Sequence, residues 1–274
     1  MMMMENETIT ELRKQMRRFY ETSEIYKGFL DAHTESYLRT YIDLVSRYSE
    51  PGSKILEVGG GNGLAARLLN QIGYRILSTD ISLFFLRDAK KWHNEKLNYA
   101  VCDALDLPFK AESFDVVCSS ELIEHLLDVG RALSEMARVV KKGGRIIIAG
   151  PNLCSPLLPL IDLLRMSIGG NSRPIWAETK RQAVKNIYIN LTRSLKKRLA
   201  SQPTFLYRKP DIEHQIIGGD ADSVYYANPL DLESFFKNAG LKIVKLSVGF
   251  GFKGRLMAAL CPRYSLYISM VVEK

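Results

Sequence analysis

The chain has little that would mark it as disulfide-stapled, secreted or membrane-spanning. Its four cysteines, Cys102, Cys118, Cys154 and Cys261, are scattered and form no C-x-x-C pair. That excludes a disulfide framework and a structural zinc site of the usual spacing. Three of them sit in or beside apolar segments, where a small buried side chain is the ordinary role. No apolar run reaches the ~20 residues of a bilayer span. The N-terminus, Met1 to Glu7, has no basic region followed by an apolar core, so it does not read as a secretory signal. No RNA- or DNA-binding motif is recognisable. A cytoplasmic protein is the expectation these absences leave.

What is present is a chain of 274 residues with 46% hydrophobic content, enough for one α/β domain with additions. Its most informative stretch is Lys54-Ile55-Leu56-Glu57-Val58-Gly59-Gly60-Gly61-Asn62-Gly63, followed at once by Leu64-Ala65-Ala66-Arg67-Leu68-Leu69. An apolar run, a glycine-rich turn and a helical pattern in that order read as strand, tight turn and helix start. The glycines allow a close backbone approach, and the helix start offers unpaired N–H groups. Read from Gly61, Gly63 and Ala66, the pattern even satisfies the dinucleotide fingerprint with its permitted final Ala.

The sequence downstream repeats the theme. Residues 74–79 form a second strand pattern ending in Asp80, placed to bind two ribose hydroxyls. Residues 98–104 read as a third strand carrying Asp103 near its end, and 113–120 as a fourth. A helix pattern over 131–141, closed by Gly143-Gly144, leads into a fifth strand over 145–150. Ahead of the glycine turn, 34–48 places Tyr37, Leu38, Tyr41, Ile42, Leu44, Val45 and Tyr48 mainly on one helical face, and Pro51-Gly52 ends it. Late in the chain, 230–238 reads as a helix with Pro229 in its first turn and Gly240 at its stop. Strands over 241–248 and 264–272 follow, joined by a loop rich in glycine and basic residues.

Glu57-Val58-Gly59-Gly60-Gly61-Asn62-Gly63, Asp80, Asp103 and Phe114-Asp115-Val116-Val117 leading to Glu124-His125 together resemble the class I S-adenosylmethionine-dependent methyltransferases. The branch they resemble is the one with the compact domain found in quinone-biosynthesis enzymes. The resemblance runs over about 54–152 and resumes weakly from 223 to the end. It implies a Rossmann-like, seven-stranded, mostly parallel sheet with an antiparallel last strand, with N-terminal helices and a helical insertion after strand five. The expected division is an N-terminal helical cap over 1–50, a cofactor-binding core over 51–152, a basic amphipathic insertion over 153–222, and the remainder of the core over 223–274.

The same resemblance implies roles. Gly59, Gly61 and Gly63 form the loop beneath the methionine part of S-adenosyl-L-methionine, and Glu57 orients its amino group through the loop or a water. Asp80 takes the ribose hydroxyls, with Ile81 against the adenine; Asp103 takes the adenine amine, with Ala104 supplying backbone contacts. Ser119 and Ser120 lie near the reacting methyl, and Tyr20 and Tyr26 are candidates for a lid. Glu121 and His125 are the candidate catalytic residues, His125 as general base. Read as a helix, the segment puts Glu121 on one face with Glu124 and His125, the pattern by which some similar enzymes hold a divalent metal. His214 is a candidate fourth ligand there; the main reading has no metal. His33 and His93 lack a partner pattern and are expected at the surface, and Asp220 and Asp222 are candidate substrate contacts or turn residues.

Charge is the other signal. Residues 165–209 hold 11 Lys and Arg against one acid, Glu178, a net of +10, whereas the rest of the chain is at −2. Within this stretch Val184, Ile187, Tyr188, Leu191, Leu195 and Leu199 recur at helical spacing, and Arg181, Lys185, Arg193, Lys196 and Lys197 occupy much of the remaining surface. The plain reading docks that apolar face on the core and leaves the basic face in water. The alternative lays it on an anionic membrane or attracts an acidic acceptor.

The function expected is methyl transfer to a small molecule, most often at oxygen, whose acceptor is acidic, lipid-linked or glycan-linked. Two other classes stay open: an NAD(P)-dependent oxidoreductase, against which stands the missing Tyr-x-x-x-Lys after strand four, and a non-catalytic membrane-associated binding protein. A nucleic-acid partner is disfavoured, because the basic stretch offers few aromatics for stacking.

Overall fold

The computed structural model describes residues 6–169, 177–212, 221–249 and 251–274. Three helices come first: α1 (Asn6–Thr22), α2 (Glu24–Asp31) and α3 (Glu35–Arg47). The last two start where the Ser23 and Thr34 hydroxyls accept from the N–H three residues on, at Tyr26 and Tyr37. Strand and helix then alternate through β1 (Lys54–Val58), α4 (Leu64–Gln71), β2 (Arg75–Asp80), α5 (Leu83–Ala89), β3 (Leu97–Val101), β4 (Phe114–Ser120), α6 (Val129–Val139) and β5 (Val140–Pro151). Two helices, α7 (Leu157–Ser167) and α8 (Lys180–Leu199), follow β5. The chain closes with α9 (Pro229–Asn238), β6 (Lys242–Lys245), α10 (Gly251–Leu260) and β7 (Tyr267–Glu273).

The strands make one seven-stranded sheet in the order β3-β2-β1-β4-β5-β7-β6. The first five are parallel, and β7 runs antiparallel to both β5 and β6. This is the Rossmann-like sheet the sequence led us to expect. Its central strands are apolar on both faces, as parallel strands covered on two sides must be. Ile146 and Ile148 pack into one core with Leu56, Val117, α6 and α9; Ile147 and Ala149 pack into the other with Ile55, Cys118, α3 and α4. The strand alternation thus divides one apolar run between two layers.

Three expectations are corrected. The connection between β6 and β7 is the helix α10 and a short 3-10 turn over Pro262–Tyr264, not an open loop. The 3-10 turn delays β7 to Tyr267, and β6 is shorter than its apolar run. The third correction concerns α8. Its inward face is Ala183, Asn190, Ser194 and Lys197, while Val184, Tyr188, Leu191, Leu195 and Leu199 are exposed. The helix is held by polar bonds rather than by its apolar row. Asn190 donates to the Ser155 carbonyl (3.0 Å), and Lys197 Nζ lies 2.5 Å from Asp231 Oδ2.

Candidate active site

The site is built on the ends of β1, β2 and β4, where the sheet order reverses and a crevice opens. At the end of β1 the N–H groups of Gly59 and Gly60 donate to the Thr79 carbonyl (2.8 and 2.9 Å), tying the turn to β2. Gly60 is obligatory for a packing reason: a Cβ there would lie 2.0 Å from Ser78 Oγ and 2.7 Å from Glu57 Oε2. Gly63, at the start of α4 with φ of 75°, faces the Tyr99 ring and Ala89, which a Cβ would meet at 2.6 and 2.8 Å. Gly63 is therefore a packing glycine beneath the loop, not a wall of the cavity.

Glu57 is buried under this turn and accepts from Ser78 Oγ (2.7 Å). Burial pushes its carboxyl up to about 7, with the Asp80 charge adding to the rise and the Ser78 hydroxyl opposing it. Because the folded state holds this proton more tightly than the unfolded one, stability falls as pH rises from the ordinary carboxyl value, 4.5, through about 7. The whole effect is on the order of 3 kcal/mol. Between about pH 5 and 8, ligand-free wild type should lose melting temperature more steeply than Glu57→Gln. Parallel curves would show that Glu57 does not titrate in this range.

Asp80 closes β2. Its two carboxylate oxygens accept from the N–H groups of Gly61 and Ser82, both at 2.9 Å. Burial holds it above the ordinary carboxylate value, against those N–H donors. Asp103 accepts from Leu105 N–H (2.9 Å) and is ion-paired with Arg13 of α1. The N-terminal helices lie across the mouth of the site. Ser82 Oγ donates to the Tyr20 carbonyl (2.8 Å), the Tyr20 hydroxyl donates to Asp222 (2.9 Å), and Asn62 donates to the Leu30 carbonyl (2.9 Å). Tyr20, Tyr26 and Phe85 form an aromatic cluster with ring centroids 5.4 to 6.2 Å apart.

These elements enclose a cavity of about 460 Å³. Glu57, Gly59, Gly61, Asp80, Ile81, Asp103, Ala104 and Ser120 all line it, as do Glu121 and His125. Ser119 is fully buried and outside its walls, because strand alternation turns it to the other face of β4. His33 is not a surface residue. It stacks on Tyr37 (centroids 4.5 Å apart) in the cavity wall, where burial lowers its pKa. His93 is exposed.

The segment after β4 departs from the helical reading. Glu121 has φ of 51°, and only Ile123–His125 forms a turn, of 3-10 type. Glu121 therefore leaves the face that helical spacing would give it, and receives the Tyr267 hydroxyl of β7 instead. Glu124 is buried, and its backbone carbonyl accepts from Val224 and Tyr225 N–H (2.8 and 2.9 Å). Glu121, Glu124 and His125 do not assemble as a ligand set. Among the described residues no group of three His, Cys, Asp or Glu side chains is arranged to hold a metal. His214 and Asp220 lie outside the described residues.

His125 is paired with a residue 97 positions away. Its Nδ1 stands 3.2 Å from Asp222 Oδ2, the oxygen that also takes the Tyr20 hydroxyl; its Nε2 is 3.7 Å from Glu124 Oε1. Burial raises the Asp222 carboxyl, but His125 and the Tyr20 hydroxyl overcome it and hold it below the ordinary value. An ionised Asp222 at this distance is placed to orient the ring, the usual way a histidine is prepared as a base. The sequence named both residues but gave no sign that they meet. The Arg13–Asp103 pair was not foreseen at all.

The cavity fits an adenosine-type group with a cationic end. Its floor is side-chain-free at Gly59 and Gly61, carboxylates stand at the ends of β2 and β3, and Glu57 lies beneath the turn. An adenine amine at Asp103 would compete with Arg13.

Residues 56–148 match the family model for a methyltransferase domain. A demethylmenaquinone methyltransferase from Corynebacterium urealyticum is 34% identical over 109 residues, 40% of this chain and 45% of that protein. The chain spans about half the length of the first such relatives it matches. Among solved structures, an S-adenosylmethionine-dependent methyltransferase from Mesorhizobium loti superposes with a TM-score of 0.54 at 14% identity, covering 89% of this chain and 100% of the other. Magnesium protoporphyrin IX methyltransferase from Synechocystis, solved with bound S-adenosylhomocysteine, gives 0.51 at 14% identity, covering 95% and 93%. At these identities the two structures establish the fold.

Proposed function

We propose that this chain, which carries a class I S-adenosylmethionine-dependent methyltransferase domain, transfers a methyl group to an oxygen of a small planar acceptor. The observation that carries this reading is the His125–Asp222 pair in the wall of the cofactor-type cavity. The cofactor, when bound, supplies a methyl carbon on a sulfonium leaving group, so the protein has chiefly to align the partners and take a proton. Gly59, Gly61, Asp80, Ile81, Asp103 and Ala104 would hold it, and Glu57 would steady the loop beneath. Asp222 stands at Nδ1 of His125, and Nε2, although 3.7 Å from the buried Glu124 carboxylate, is the nitrogen that would receive the acceptor's hydroxyl proton. Glu121, held by Tyr267, acts through charge near the acceptor rather than as a second base.

The acceptor end is walled by rings: Phe19, Tyr20, Tyr26, Phe29, His33 and Tyr37. Flat apolar walls suit a planar ring, and relatives named demethylmenaquinone methyltransferases support a quinol-like ring; one relative is named a C-methyltransferase, so transfer to oxygen rests on the His125–Asp222 pair alone. An acidic acceptor finds little support, since Asp80, Asp103, Glu121, Asp211 and Asp222 outweigh Arg13 and Arg17 in the lining. A lipid-linked ring is the better fit. The chain is read as membrane-peripheral; no helix among the described residues is long and apolar enough to cross a membrane.

Thermal shift with S-adenosylhomocysteine and with NADH separates this reading from a dehydrogenase. We expect stabilisation by the first alone; stabilisation by NADH alone would overturn the reading. Gly60→Ala should weaken S-adenosylhomocysteine binding at least tenfold and destabilise the fold by about 1–3 kcal/mol, because the added methyl overpacks the turn. Unchanged affinity by calorimetry would mean that the ligand does not sit on this turn. Methyl transfer from labelled S-adenosylmethionine to a panel of phenols and hydroquinones tests the acceptor; failure on all of them alongside firm cofactor binding would favour a non-catalytic binding role.

A further inference from the structure

We propose that the outward face of α8 is a docking site for an anionic lipid surface. The inference rests on the membrane-peripheral part of the reading above and names the face that makes the contact. Val184, Tyr188, Leu191, Leu195 and Leu199 are 50% to 78% exposed. At 100° per residue they fall within a stripe about 80° wide, and at 1.5 Å per residue the stripe runs about 22 Å along the helix. A row this regular, turned to solvent by a helix that buries Asn190, Ser194 and Lys197 instead, is not core that happens to be uncovered. Isolated exposed leucines need no explanation, whereas a continuous apolar stripe calls for a partner.

The charges around the stripe choose the partner. By the same helical geometry Arg181, Lys185 and Lys196 flank it on one side and Lys180 and Arg198 on the other, and all five are exposed. Apolar residues bordered on both sides by cations match a bilayer interface, with side chains in the acyl boundary and amines at lipid phosphates. Tyr188, second in the row, has the amphipathic ring favoured at that depth. A second copy of the chain is the poorer occupant, because it would bring two segments of net +10 together. α7, packed on α8, and the residue that caps it add exposed Leu160, Leu164 and Ile168 to the same part of the chain.

Co-sedimentation of the full chain with phosphatidylcholine vesicles, with and without phosphatidylglycerol, tests this. Binding is expected only with the anionic lipid and should weaken with salt. Leu191→Glu/Leu195→Glu should weaken it at least tenfold, as each leucine contributes about that factor when buried. Lys185→Ala and Lys196→Ala should each cost about fivefold. Both leucines are exposed, so the melting temperature and the S-adenosylhomocysteine shift should be unaffected; an intact shift without vesicle binding would overturn the docking face while sparing the cofactor reading. Equal binding by wild type and Leu191→Glu/Leu195→Glu would overturn it too. So would a lipid-free, concentration-dependent dimer that the double variant abolishes, since the stripe would then be covered by a second copy.

Discussion

Asp231→Ala should lower folding stability by about 3–5 kcal/mol, the largest loss expected from a single substitution away from the cavity. The Lys197 and Asp231 side chains are 2% and 1% exposed and 2.5 Å apart. Asp231 also accepts from the Tyr225 hydroxyl and Asn228 Nδ2, both at 2.9 Å, and from Thr204 N–H at 3.0 Å. Removing it strands a buried ammonium together with a buried hydroxyl and amide. A charge left without its partner costs far more than the pair contributes when intact. The comparison that isolates this is Lys197→Met/Asp231→Leu, which should recover most of the loss because no charge remains to be desolvated. Denaturant unfolding of the two single variants and the pair gives the coupling energy; a loss below about 1 kcal/mol for Asp231→Ala, the level of a surface pair, would mean that water reaches the network. Lys141–Asp115, with side chains 47% and 38% exposed, supplies that surface reference.

This network also shows where the sequence stops being readable. Lys197 reads there as one more cation on a basic helix, and the apolar row beside it reads as the buried face. Helical periodicity identifies a stripe but not what covers it. The side of α8 that packs is decided by Asp231 and by the Ser155 carbonyl, 34 and 35 residues away in the chain. The cofactor-type loop was legible for the opposite reason. Glu57, Gly60 and Ser78 interlock within a strand-turn-strand unit whose order and glycine spacing are written in consecutive residues. Asp80 and Asp103 follow from the same logic, since each sits where a β-strand pattern gives out. The segment at Glu121 was misread because residues of good helical spacing follow a residue with φ of 51°, which no side-chain pattern announces. His125 was identifiable as a candidate, but Asp222, which orients it, reaches it only through the fold.

His125→Asn should therefore lower kcat by about 10²–10⁴-fold while leaving S-adenosylhomocysteine affinity unchanged. Asparagine keeps a polar group facing Asp222 yet has no basic nitrogen to take a proton from a hydroxyl. The residual rate is what alignment and the sulfonium leaving group achieve alone. The loss should also change shape with pH: wild type has an acidic limb where the imidazole becomes protonated, and the variant lacks it. Asp222→Asn gives the intermediate case. Nδ1, now 3.2 Å from Asp222, loses its ionised partner and the ring the group placed to orient it, so a smaller fall in kcat with the acidic limb displaced to lower pH is expected. The direction follows because removing a neighbouring negative charge makes the imidazolium less favourable. Tyr20 donates its hydroxyl to the same carboxylate, so Tyr20→Phe serves as the control that breaks the 2.9 Å bond without touching the base. Turnover of His125→Asn within about twofold of wild type would remove His125 from proton transfer and leave alignment as the source of the rate. Imidazole added to His125→Gly offers the converse check: recovery that grows with the free-base concentration places the missing function at that ring.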